Sequence, residues 1–247
     1  MSTAKPLVTV VIPAHNEENY IRRCIASIHR AQQVYGGEVE IFVVCNRCTD
    51  RTDEIARACG AYVIYNEDRC IAAVRNDGIA AARGKILITI DADNRMTPGT
   101  IDEIWRMLGS GQYIGGGAPM VFERSSFPLY LNDLLCRAGF AVTGLYCGIF
   151  WAKTETFRQI GGFADLRAME DAATAKRLRA LGRERGRRYT CLRDNYLINS
   201  TRKFDEQGDW MYLRMLVRHA GTFVRAALGD RGELDRIIDD LFYDYPR

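Results

Sequence analysis

The sequence has no long apolar run, no strong excess of either charge and few histidines, and each lack removes a class of protein. Its long stretches without a charged residue, such as that between Arg137 and Lys153, are broken by glycines and polar residues and fall short of a membrane-spanning helix. The N-terminus carries no apolar segment resembling a signal peptide, and the chain reads as soluble and cytoplasmic. A net charge of +3 over 247 residues gives no basic signature for nucleic acid. Three scattered histidines and a single close cysteine pair offer no zinc site. No Gly-x-Gly-x-x-Gly follows the first apolar run, and no Gly-x-x-x-x-Gly-Lys-Ser/Thr occurs anywhere, which argues against an NAD site and a P-loop. Neither an internal repeat nor a low-complexity linker is present.

What the chain does contain is ordinary globular composition, 47% hydrophobic and 26% charged, arranged in alternating patterns. Leu7 to Ile12 is a β-branched run suited to a strand buried on both faces, stopped by Pro13. Asn16 then caps a helix with Glu17 and Glu18 in its first turn and Ile21, Cys24, Ile25 and Ile28 on its inner face. Strand, helix, strand and helix follow at 40–44, 49–59, 62–65 and 71–82, and a strand ends at Asp91. Such β-α alternation implies a mainly parallel sheet with helices on both faces, with ligands beyond the carboxyl ends of the strands. Thr97-Pro98 opens a further helix with proline in its first position. Gly115-Gly116-Gly117 reads as a bulge more readily than as a ligand loop. Helix is expected over 127–140, strand over 145–151 and 189–198, and a helix opening at Met169-Glu170-Asp171. Trp210 to Leu228 forms a basic amphipathic helix carrying Arg214, Arg218 and Arg225. It would cover the domain's own core or, as the alternative, lie on an anionic membrane as a peripheral contact. A final helix spans Leu234 to Phe242.

The organising stretch is the strand that ends in Asp91-Ala92-Asp93. Alternation along an extended chain puts Asp91 and Asp93 on one side and Ala92 on the other. Two carboxylates side by side repel unless a cation intervenes, and a hard divalent ion with oxygen ligands bridges readily from carboxylates to phosphates. Alone, the motif reads more readily as an acidic turn closing a strand. Glu170 and Asp171 have a similarly plain alternative, since acids in a first turn serve the helix dipole.

The ordered set is more specific than its parts. Val11-Ile12-Pro13-Ala14-His15-Asn16-Glu17, the segment Val44 to Thr52, Arg75-Asn76-Asp77-Gly78-Ile79, Asp91-Ala92-Asp93, Gly161-Gly162-Phe163 with Glu170-Asp171, and Ser200-Thr201-Arg202-Lys203-Phe204 together resemble the inverting glycosyltransferases of family 2, which have the GT-A fold. The resemblance implies an α/β GT-A domain over residues 1–205, with a nucleotide-binding half at 1–110, an acceptor half at 111–205 and a helical extension at 206–247. It implies transfer of a sugar from a nucleoside-diphosphate sugar to an acceptor hydroxyl, with inversion and with Mg²⁺ or Mn²⁺ as cofactor. The nucleotide base would rest against Pro13, Ala14 and Glu17. Asp91 would meet the ribose or the metal, with Ala92 beside the nucleotide-sugar, and Asp93 would bind the metal. Arg75 would lie near the nucleotide or its phosphates, and Asp171 would take the acceptor proton. Arg202 and Lys203 would add charge stabilisation at the phosphates. Where the family carries an acid in the second loop this chain has Cys45 and Asn46. An amide both donates and accepts, so Asn46 can read a base edge, and UDP and GDP both remain open as the donor nucleotide.

Three rival readings exist. A thiol redox protein would use Cys45 and Cys48, a C-x-x-C pair directly after a strand, but leaves Asp91-Ala92-Asp93 without a role. A nucleotidyltransferase would need a glycine-rich basic loop after the first strand, which Pro13-Ala14-His15-Asn16-Glu17 is not. A non-catalytic sugar-nucleotide binder would have no need of Asp93 and Asp171.

Overall fold

The opening apolar run forms β1 (Val8–Ala14), in which every residue is buried. In this computed structural model the described residues are 5–143, 148–164, 170–211, 214 and 218. After β1 come α1 (Ile21–Tyr35), β2 (Val39–Asn46), α2 (Thr52–Ala58), β3 (Tyr62–Asn66), α3 (Ile71–Ala81), β4 (Ile86–Ile90), β5 (Arg95–Met96) and α4 (Thr100–Gly109). The second half adds β6 (Tyr113–Gly117), β7 (Met120–Phe122), α5 (Phe127–Thr143), β8 (Ile149–Lys153), α6 (Thr154–Gln159), α7 (Glu170–Glu184), β9 (Arg188–Cys191), β10 (Leu197–Asn199) and α8 (Arg202–Gln207). The chain divides into two units, Met1–Val121 with Gly144–Asn199, and Phe122–Thr143 with Ser200–Arg247. Among the described residues no helix is long and apolar enough to cross a membrane.

The main sheet has the order β3-β2-β1-β4-β8-β6-β9. Its first four strands are parallel, as the β-α alternation implies, and β8 runs antiparallel to both β4 and β6. Alternation along the strands sorts the core into two layers. Val8, Val10 and Ile12 of β1 with Ile86, Ile88 and Ile90 of β4 pack against α1 and α4, while Val11 and Leu87 pack on the opposite side with Phe150, Phe157, Phe163 and Leu178. Each such fully buried side chain contributes about 1.5–3 kcal/mol relative to exposure. The second unit has its own contacts: Arg124 pairs with Asp205 and Asp209 at 2.6 Å, and Phe122 meets Phe204 edge-on.

Several local expectations are corrected. Pro13 does not stop β1, which runs on to Ala14. Beside β4 the pairing ends at Val11, whereas beside β2 it continues to Ala14. The missing N–H of Pro13 therefore costs no bond on the β4 side. Asn16 is not a helix cap: α1 begins at Ile21, and Asn16 takes φ 54° in a turn between strand and helix. The next helix starts at Thr52 rather than 49, because Asp50 Oδ1 accepts from the Thr52 amide at 3.0 Å and turns the chain there. Pro98 precedes α4, whose cap is Gly99. The 189–198 segment is two short strands in different sheets, separated where the buried Glu103 carboxylate accepts from the Arg193 and Asp194 amides at 2.6 and 3.2 Å. Gly116 lies between β8 and β9, and a methyl group there would collide with the Thr190 carbonyl, so close strand packing accounts for the glycine run. Residues 145–147, Met169, Arg225, the final helix and most of the 206–247 extension fall outside the described residues.

Candidate active site

The carboxyl ends of β2, β1 and β4 stand side by side, and the loops after the first two are laced together. Asn16 Oδ1 accepts from the Thr49 amide at 2.8 Å, Asp50 Oδ2 from the Glu18 amide at 2.9 Å, and Thr52 Oγ1 from the Glu17 amide at 2.7 Å. A ring nitrogen of His15 meets the Asn46 carbonyl at 2.6 Å. Pro13, Ala14 and Glu17 are buried at this edge. Asn46 Nδ2 is committed inside the fold, donating to Asn66 O, Asn66 Oδ1 and Asp68 O at 3.1, 3.0 and 2.7 Å.

After β4 the chain turns, with the Asn94 amide donating to the Asp91 carbonyl at 3.1 Å. The Cys24 thiol of α1 lies against the same carbonyl at 3.6 Å. Burial first, then the charges of Asp93, Asp91 and Glu17, push this thiol well above its usual range. The three carboxylates named act on this thiol from the ends of β1 and β4.

Arg75, in the middle of α3, supplies a counter-charge at Asp91. Its Nη2 donates to Asp91 Oδ1 at 2.9 Å, and its Nη1 to Asp171 Oδ1 at 2.8 Å and Glu170 Oε1 at 3.2 Å. The Arg75 side chain is 5% exposed, whereas those of Asp91 and Asp171 retain 37% and 28%. Both carboxylates thus remain reachable although Asp171 is densely surrounded. Among the described residues Arg75 Nε has no acceptor. The guanidinium stacks over the buried Phe163 ring, 4.9 Å from its centroid. Burial opposes its charge, but Asp171, Asp91 and Glu170 outweigh burial and hold its pKa above the ordinary value.

Phe163 is fixed by the neighbour of Arg75. Asn76 Nδ2 donates to the Phe163 carbonyl at 3.0 Å, and the Phe163 amide donates to Asn76 Oδ1 at 2.8 Å. Gly162 precedes it at φ +69°, and a methyl group there would collide with Asn76 Oδ1. Separate sequence segments, Arg75-Asn76, Gly162-Phe163 and Glu170-Asp171, are therefore one packed unit.

Glu170 and Asp171 occupy the first turn of α7. Burial and the Asp171 charge lift the Glu170 carboxyl to about 7, against the pull of Arg75. Burial also raises Asp171; Arg75 opposes this and Asp91 adds to it. The cluster brings together Asp91 and Asp171, with Asp93, Ala92, Pro13, Ala14 and Glu17 on the adjoining strand ends. Arg202 and Lys203 open α8 in the other unit. Sequence reasoning missed Glu170 and Phe163 as partners of Arg75, and Asn76 as the residue that holds Phe163, since no spacing rule links α3 to positions that far along the chain.

Among the described residues no three His, Cys, Asp or Glu side chains form a metal cage. The donor set nonetheless suits a hard cation. Asp91 and Asp93 offer oxygens at a strand end where negative charge gathers, and one or two carboxylates suffice when phosphates and water complete the shell.

The family model for glycosyl transferase family 2 matches residues 9–161. Glycosyltransferase AglE of Haloferax volcanii is 35% identical over 99 residues, covering 38% of this chain and 32% of that protein. The chain spans about a third of the length of the curated relatives it matches. Among solved structures, the mannosyltransferase PcManGT of Pyrobaculum calidifontis, in complex with GDP-Man and Mn²⁺, superposes with a TM-score of 0.62 at 22% identity, covering 80% of this chain and 57% of that one. Glucosyl-3-phosphoglycerate synthase of Mycobacterium tuberculosis, with Mn²⁺ and UDP, gives 0.57 at 23% identity, covering 82% and 75%. With the family model spanning more than half the sequence on a GT-A-type sheet, this chain belongs to glycosyl transferase family 2.

Proposed function

We propose that this protein transfers a sugar from a nucleoside-diphosphate sugar to an acceptor hydroxyl with inversion at the anomeric carbon. The observation that carries the reading is the guanidinium of Arg75 bridging Asp91 to Asp171, which holds a strand-end carboxylate and a carboxylate of α7 on one side chain. The nucleotide lies over the ends of β1, β2 and β4, its base against Pro13, Ala14 and Glu17, with the Asn46 oxygen at the base edge. Asp91 takes the ribose and Ala92 packs beside the nucleotide-sugar. Asp93 holds a divalent cation, Mg²⁺ or Mn²⁺, which when bound supplies Lewis-acid neutralisation of the departing diphosphate. Asp171 removes the proton from the acceptor oxygen as that oxygen attacks from the opposite face, and this geometry inverts the anomeric carbon. The nucleotide half is assigned to 1–110, the acceptor half to 111–205 and a helical extension to 206–247.

UDP and GDP are the donor nucleotides to test, since solved neighbours are complexes with UDP, UDP-GlcNAc and GDP-Man. A melting-point panel of UDP, GDP and their sugar esters, with and without Mn²⁺, identifies the donor, because a ligand that binds only the native state raises its melting point. Asp171→Asn then abolishes transfer from that donor while nucleotide binding persists. Loss of both together removes Asp171 from the role of base.

A further inference from the structure

We infer that Arg75 is a positioning residue for the base, and not a ligand of the diphosphate. The inference rests on the reading of Asp171 as the base and concerns what holds that carboxylate in place.

Both terminal nitrogens of Arg75 are occupied by carboxylates, Nη2 on the donor side by Asp91 and Nη1 on the acceptor side by Asp171 and Glu170. At 5% exposure the side chain is closed to solvent, and the Phe163 ring covers the guanidinium plane. Its Nε–H, which has no acceptor among the described residues, is itself buried, so a phosphate could reach the guanidinium only if the side chain moved or gave up a charge-assisted hydrogen bond at 2.8–3.2 Å. The platform beneath is rigid: Phe163 is clamped to α3 by the paired hydrogen bonds with Asn76, next to Arg75 itself. An arginine so held fixes where Asp171 Oδ1 points, leaving Oδ2 for the acceptor.

Among the described residues, the charged and titratable groups acting on Asp171 are Arg75 from α3, Asp91 from the end of β4 and its own neighbour Glu170. Arg75 is the only cation among these and favours the ionised, proton-accepting form. The same residue ties the orientation of the base to the strand end where the donor binds. A side chain that touches neither donor nor acceptor thus orients the reactive carboxylate.

The test compares wild type with Arg75→Lys and Arg75→Gln, read by calorimetry of UDP and GDP with Mg²⁺ and by NMR titration of the Asp171 carboxyl carbon. The expected result is nucleotide affinity within about threefold of wild type. The Asp171 titration moves to higher pH in Arg75→Gln and less so in Arg75→Lys, which keeps the charge but loses the fork. An affinity loss of about tenfold or more with the Asp171 titration unmoved overturns the proposal. Should the variants not fold, the guanidinium nitrogen signals of Arg75 in wild type decide: unchanged on adding UDP or GDP with Mg²⁺ supports positioning, and a large shift overturns it. Failure of the functional reading shows separately, as a wild type that binds no nucleoside diphosphate, while the Asp171 titration still reports on Arg75.

Discussion

Asp91 Oδ1 and Asp171 Oδ1, from opposite halves of the chain, accept hydrogen bonds from the two terminal nitrogens of one buried guanidinium, at 2.9 and 2.8 Å. One positive charge facing three negative ones leaves the carboxylates short of positive charge. Solvent offsets part of this at Asp91 and Asp171, and a retained proton or an added cation would offset the rest. Glu170, the least accessible of the three at 14% side-chain exposure, is the group whose affinity for a proton is raised most clearly.

That imbalance makes stability depend on pH in a defined direction. A carboxyl lifted from 4.5 to about 7 binds its proton more tightly in the folded chain than in the unfolded one. Its contribution therefore favours the fold below about pH 4.5 and is lost as the pH rises through about 7. Glu170→Gln, neutral throughout, should melt above wild type at pH 8, with a difference on the order of 1–3 kcal/mol that shrinks towards acid. Melting curves of both proteins across that range check it, and a variant less stable than wild type at pH 8 would show that ion pairing to Arg75 outweighs the cost of burial.

Gly162→Ala tests the platform under the arginine. Its φ of +69° disfavours any side chain, and the added methyl would press on Asn76 Oδ1. A loss of about 1–3 kcal/mol is expected, read as a lower melting temperature. Asn76→Ala leaves the Phe163 amide without its 2.8 Å acceptor and should cost a similar amount. Because both changes break the same joint, the double variant should lose less than the sum of the two.

The sheet was legible in the sequence where the chemistry is local and periodic. The β-branched runs of β1 and β4, the helix positions Ile21, Cys24, Ile25 and Ile28, and the β-α alternation gave the parallel half and the strand ends that bear Asp91 and Asn46. Signals that two structures share were misread. Asn16 has the composition of a helix cap, but its oxygen serves the Thr49 amide in the neighbouring loop. Pro98 has the look of a first helical residue but precedes the cap. The antiparallel β8 wedged between β4 and β6 was not foreseen, since strand order is set by tertiary packing. The grouping of Arg75 with Phe163, Glu170 and Asp171 carries no sequence period, so only the family resemblance placed these segments at one site.

The cysteine pair offers a direct check on the redox alternative. Cys45 is buried in the core, and Cys48 lies against the Ala14 carbonyl at 3.4 Å. The neighbouring Cys45 thiol draws Cys48 below the ordinary thiol range, while Cys48 and burial hold Cys45 above it. Cys48 should therefore react first with a thiol reagent, and bound nucleotide should slow it if the loops after β1 and β2 form the nucleotide site. Cys48→Ser should keep nucleotide affinity and transfer within about threefold. Loss of all activity on this single substitution, with nucleotide binding intact, would favour redox chemistry.

Asp91 and Asp93 sit at the same strand end but should answer differently to substitution. Asp91 has an arginine on one oxygen, so Asp91→Asn weakens a fixed ion pair and leaves Arg75 with the two α7 carboxylates. The charge of Asp93, with those of Asp91 and Glu17, raises the Cys24 thiol, and in the proposed reading Asp93 holds the divalent cation. Asp93→Asn should lower Mn²⁺ affinity by about tenfold or more, and with it the Mn²⁺-dependent part of UDP or GDP binding. The Cys24 thiol should titrate lower in the same variant, because its largest charged neighbour is gone. Calorimetric titration of Mn²⁺ with and without nucleotide, beside a pH titration of Cys24, separates the two effects. Unchanged Mn²⁺ affinity alongside a lowered Cys24 value would place the cation elsewhere and keep Asp93 as a purely electrostatic neighbour.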